Sequence, residues 1–166
     1  MSHIATVAVE IRDLDALDRA CQRLGLELRR GQTTYKWWGN VGPRAEMSAD
    51  QVFAFLKRRE PGFTIPSGMS LEDWKAGTCL HAIVLPGSAH GFEIGVTRSK
   101  NGQNLTLLGD LDLLSADFSN TIGGPHCGKL VQAYSLEVAK RQMQLKGFRV
   151  QERTTANKSV QLVCVK

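Results

Sequence analysis

Between His81 and Leu111 the chain reads His-Ala-Ile-Val-Leu over 81–85, Phe-Glu-Ile-Gly-Val-Thr-Arg over 92–98 and Leu-Thr-Leu-Leu-Gly-Asp-Leu over 105–111. Pro86-Gly87 and Asn101-Gly102 lie between these runs. Apolar and β-branched segments of strand length, separated by turn dipeptides, predict an antiparallel meander. Upstream, Ile4 to Ile11 is a β-branched run expected in the interior of the same sheet. Asp13 then offers an N-cap oxygen, Leu14, Leu17, Cys21 and Leu24 recur at helical spacing, and Gly25 stops the helix. Leu26 to Arg30 and Thr33 to Trp38 read as two further strands.

Residues 39–78 interrupt this pattern and read as an insertion or lid. Two short helices are expected there, one behind a Ser48/Gln51 capping box and ending at Lys57-Arg58-Arg59, the other behind a Ser70/Asp73 box and stopped by Gly77. After Gly123-Gly124-Pro125 a helix is predicted from about Lys129 to Lys146, with Val131, Tyr134, Val138 and Leu145 on its buried face. Phe148 to Arg153 and Ser159 to Val165 close the chain as a hairpin about Asn157-Lys158. The expected fold is one α+β domain over 1–166. It is a two-layer arrangement, a mostly antiparallel sheet with the two longer amphipathic helices on one face and a short helical insertion.

The 166 residues, 42% hydrophobic and 22% charged, fit a single core and exclude collagen, low-complexity disorder and a coiled-coil rod. No apolar run has the roughly 18 residues of a membrane helix. The Met1-Ser2-His3 start lacks a signal-peptide pattern. Cysteines at 21, 79, 127 and 164 form no CxxC pair. Together these predict a soluble cytoplasmic protein with reduced thiols and no membrane partner.

The net charge of +5 is unevenly placed: residues 120–166 carry eight basic and two acidic side chains. A basic C-terminal surface attracts phosphate backbones or an acidic partner. Lys129, Lys140, Arg141, Lys146, Arg149 and Arg153 are the candidate contacts. Tyr35-Lys36-Trp37-Trp38 supplies candidate stacking residues, Tyr35, Trp37 and Trp38, because neighbours on an extended segment point to opposite faces and one ring is then open to a base or a partner. Arg29, Arg30 and Lys36 flank it.

Three constellations bear on catalysis or metal binding. Gly123 to Lys129 has the GxxxxGK spacing of a phosphate-binding loop, but Leu130 stands where a magnesium-binding hydroxyl belongs. Cys79, His81, His126 and Cys127 are a soft ligand set without the usual closed-site spacing. His3, His81 and Glu93 on predicted strands match the ligand placement of a glyoxalase-like metal-dependent enzyme, and Ile4 to Leu28 is similar to the start of a βαβββ module. The second half departs from that pattern. No metal or other cofactor is expected.

The opening Met1 to Val7 with Ile11 to Leu17 and Leu24-Gly25-Leu26, and the later Gly128 to Tyr134 with Glu137, Ala139-Lys140 and Lys146 to Val150, resemble one family. It is the domain-of-unknown-function family numbered twelve fifty-seven, known in plastid genomes as hypothetical chloroplast reading frame thirty-five. The likeness covers the two ends, less than half of the chain. Trp37-Trp38-Gly39 and Glu93 to Val96 look most like its phage-type members. The resemblance implies no cofactor and no catalytic residue. It points to a phage-encoded accessory protein that binds a host protein or nucleic acid in the host cytoplasm.

Overall fold

The computed structural model describes residues 4–88, 91–100, 102–156 and 160–166. Local signals set most element boundaries. The Asp13 carboxylate accepts from the Ala16 amide and opens α1 (Leu14–Arg23), which is followed by β2 (Glu27–Arg30). Ser48 and Gln51 satisfy each other's backbone amides in a complete capping box at the head of α2 (Ala49–Arg59). Ser70 caps α3 (Leu71–Ala76), and Gly77 ends it in the left-handed region at φ +71°. A Cβ on Gly77 would lie 2.4 Å from the Tyr35 carbonyl, so glycine is required there by both space and φ.

The meander is present as β3 (His81–Val84), β4 (Ile94–Arg98) and β5 (Leu105–Gly109). With β1 (Ala5–Ile11) and β2 it forms a five-stranded antiparallel sheet in the order β1-β5-β4-β3-β2. Thus β1 is an edge strand and not an interior one. The α1 crossover carries the chain from one edge to the other, and the meander fills the space between. The run Thr33 to Trp38 makes only an isolated bridge, Thr34 to Thr78, because Trp38 turns away into a one-turn 3-10 helix.

Strand alternation sorts the core into two layers. Val7, Leu28, Ile83, Ile94, Val96 and Leu107 face α1, α4 (Ala116–Ile122) and α5 (Gly128–Leu145). Ala82 and Leu108 face the insertion, meeting Trp37, Val52, Leu56 and Trp74. The molecule is therefore a mixed α+β fold with an antiparallel sheet and with α1 and α5 on one face, whereas α2, one residue longer than α1, lies on the other. The insertion adds a partial layer on the other. On α5 the buried positions are Leu130, Ala133, Tyr134 and Glu137, one step round from the expected face, and Leu145 is 81% exposed.

The hairpin of β6 (Arg149–Thr154) and β7 (Val160–Val165) forms a separate two-stranded sheet, and its expected turn at Asn157-Lys158 lies outside the described residues. It is tied to the helical layer by Glu152, which takes Arg23 at 2.7 Å and Lys140 at 2.6 Å. The hydrogen bond from Arg23, then that from Lys140, holds the Glu152 carboxyl down to about 2 from its ordinary 4.5. A group depressed on folding stabilises above its unfolded pKa, and that contribution is lost as pH falls through the folded value. Thermal melts are thus expected to show a stability loss between about pH 5 and 2 that Glu152→Gln largely removes. An unchanged acid slope in the variant would assign that loss to other carboxylates.

Candidate functional site

The insertion builds an aromatic ledge from two local events. At Trp37 the backbone is extended, so Trp37 and Trp38 diverge. Trp37 is fully buried, 4.9 Å from the Trp74 ring, with its indole N–H on the Lys75 carbonyl at 3.3 Å. Asn40 locks the bend by accepting from the Trp37 amide at 2.9 Å and donating to the Tyr35 and Ala76 carbonyls. Trp38 is left half-buried on the outer surface. Its ring lies 5.4 Å from Phe55 of α2 at an interplanar angle of 30°, and Phe55 is 36% exposed.

Cations cover this pair. The Arg44 guanidinium sits 4.1 Å from the Trp38 ring centre and that of Arg59 sits 5.0 Å from the Phe55 ring. Such stacking orients a guanidinium while leaving its N–H donors in water. Exposed Arg58 and Lys57 adjoin, the latter donating to the Phe63 carbonyl. Among the described residues no carboxylate forms an ion pair with Arg44, Lys57, Arg58 or Arg59, and the same holds for exposed Lys36. The ledge combines two partly exposed rings, each with a guanidinium against it, with positive charge that no described carboxylate pairs.

The C-terminal candidates divide differently. Arg141 is bound to Asp13 at 2.6 Å and Asp15 at 3.4 Å, fastening α5 to the head of α1. Lys140 is held by Glu137 at 3.0 Å and by Glu152. These two are internal fasteners and not open contacts, which corrects the sequence reading. Lys129 donates to the Asn120 carbonyl at 2.8 Å, closing the end of α4. Lys146, Arg149 and Arg153 stay exposed, and none forms an ion pair with a described residue. Tyr35 and Trp37 are buried and drop out of the contact set, whereas Trp38 remains. Arg29 and Arg30 are engaged by Glu27 and by Asp15 and Asp18.

The other constellations do not assemble. Lys129 and the left-handed Cys127 (φ +52°) make the Gly123–Lys129 segment a turn between two helices, where a phosphate loop would follow a strand. Cys127 lies in the core layer facing the helices, and Cys79 lies in the layer facing the insertion, so the sheet separates the two thiols. Burial pushes Cys79 up to about 12 and Cys127 to about 11, which keeps both protonated at neutral pH. His81 shares a face with Ile83 and accepts from the Gly31 amide at 3.0 Å, whereas Glu93 takes Gln32 at 2.8 Å and the Lys36 amide at 3.0 Å on the opposite face. One ion cannot bridge them. His3 lies outside the described residues, and among those described no group of three or more His, Cys, Asp or Glu is placed to hold a metal.

Sequence reading missed Asn40, Arg44, Phe55 and Arg59. Phe55 was legible as an apolar residue of a capped helix, and Arg59 as a cation complementing its dipole; their meeting with Trp38 is tertiary. No helix among the described residues is long and apolar enough to cross a membrane. No protein-family model matches the chain, and comparison with curated proteins and with solved structures found no match.

Proposed function

We propose that this is a non-enzymatic binding protein for single-stranded nucleic acid. The observation that supports it most is the Trp38–Phe55 pair flanked by Arg44 and Arg59. Every base presents a π-face, and an exposed aromatic pair beside free guanidiniums offers stacking and phosphate contact together. Lys146, Arg149 and Arg153 stand across the sheet from the ledge. Their role is to raise the positive field that draws the strand in, as the charge imbalance of the C-terminal third suggested. A phage-type accessory role is compatible with such a module.

Fluorescence polarisation with labelled single-stranded and double-stranded oligonucleotides of equal length tests this reading. Single strands should bind more tightly, with affinity falling steeply as salt rises, by a log–log slope of about 0.7 per phosphate contact. Charge reversal at Lys146, Arg149 and Arg153 together should slow association at low salt about tenfold and leave dissociation unchanged. Absence of binding to either strand form at low salt would overturn the proposal and leave the ledge as a contact for a protein partner.

A further inference from the structure

The two edges of the main sheet are built differently. β2 has four residues, three of them charged: Glu27, Arg29 and Arg30. Short, charged edges are how sheets avoid adding strands. β1 has seven residues, and Glu10 is its one charge. Among the described residues nothing pairs with its outer side.

The outward groups can be placed. The Val7 carbonyl accepts from the Thr106 hydroxyl at 3.0 Å, so the peptide groups of Val7 face β5. By strand alternation the N–H and C=O of Thr6 point outward. A groove of about 570 Å³ lies on one side of this edge, lined by Val7, Pro125, His126 and Val131. A second, of about 840 Å³, lies on the other, lined by Thr6, Met69, Thr97 and Leu108. A strand paired along β1 would extend the sheet between these two grooves.

We propose that the occupant is a second copy of this chain, with β1 paired antiparallel to its twin across a two-fold axis at Thr6. In that register Thr6 meets Thr6, Ala5 meets Val7 and Ile4 meets Ala8. No charge faces a charge, and a threonine pair is a favourable cross-strand match. The register irregularity begins only after Val7, so it touches the paired segment at its last residue, Ala8, and Glu10 falls outside that segment. Ile4 to Ala8 offers no charge for a foreign strand to complement, whereas self-pairing satisfies both copies' open groups at once. The joined sheet ends on both sides in the charged β2 edge, so assembly closes at two chains.

Sedimentation velocity over a wide concentration range tests this. The native chain should reach twice its 18.3 kDa mass. Thr6→Pro removes an N–H that makes no bond within one chain, a substitution edge strands tolerate, and Thr6→Lys sets two like charges at the axis. Both should sediment as monomers with native circular dichroism, while Arg29→Ala on β2 should stay dimeric. A native chain monomeric throughout, or Thr6 variants that still dimerise, would overturn the proposal. If the Thr6 variants fail to fold, amide exchange at Thr6 in the native chain decides: it must slow as concentration rises, and concentration-independent exchange overturns the proposal. Oligonucleotide binding is scored separately, because the ledge lies on the insertion.

Discussion

Trp38→Ala is expected to weaken single-stranded oligonucleotide binding about tenfold or more while leaving the thermal melt close to native. Base–aromatic stacking contributes about 1–3 kcal/mol per base, so loss of one platform covers that range. Folding is little affected because Trp38 is half-exposed and the fully buried neighbour Trp37 supplies the core contact. Trp38→Phe keeps a π-face and should retain most of the affinity. Arg44→Met preserves packing over the indole but deletes the charge, so it should lower both affinity and the salt slope. If Trp38→Ala binds as tightly as the native chain, stacking on this ledge is wrong whatever the cations do.

Trp74→Ala is expected to cost about 3–5 kcal/mol, a large share of the roughly 5–15 kcal/mol by which domains are stable. Trp74 is fully buried on α3 and touches three rings, Trp37 at 4.9 Å, Phe63 at 5.7 Å and Phe53 at 6.1 Å. No smaller side chain fills that space. Trp74→Phe should recover part of the loss. Urea denaturation measures the cost, and limited proteolysis locates it: cleavage should begin within 39–78 before the sheet opens. A loss under about 1 kcal/mol would mean the insertion collapses around the cavity. Because Trp38 and Phe55 are carried by this layer, oligonucleotide affinity should fall with it.

The elements that were legible share one property, that their cause lies within a few residues. Ser48 reaches Gln51, Ser70 reaches Asp73, Asp13 reaches Ala16, and Gly77 stops α3 by its positive φ. The meander was legible because its turns are short and its strands adjacent, so antiparallel pairing follows from connection length. Even there, one-step errors occurred where burial depends on what lies opposite. The α5 stripe is centred on Leu130 and Tyr134 because α1 packs there, and Leu145 extends past the last neighbour.

By itself the sequence determined the caps and stops of α1, α2 and α3, the antiparallel meander and the imbalance of charge, but it missed α4 and read a strand at Thr33 to Trp38 where only one bridge forms. Tertiary structure alone decided which edge β1 occupies, which tryptophan stays open, and which cations remain free. Arg141 meets Asp13 across 128 positions of chain, and Arg23 meets Glu152 across 129. Those partners remove charges that composition counts as available, and the sheet separates thiols and imidazoles that spacing allows to converge. Local hydrogen bonds are written in neighbouring side chains. Neutralisation and exposure are properties of surfaces that exist only once distant segments are packed.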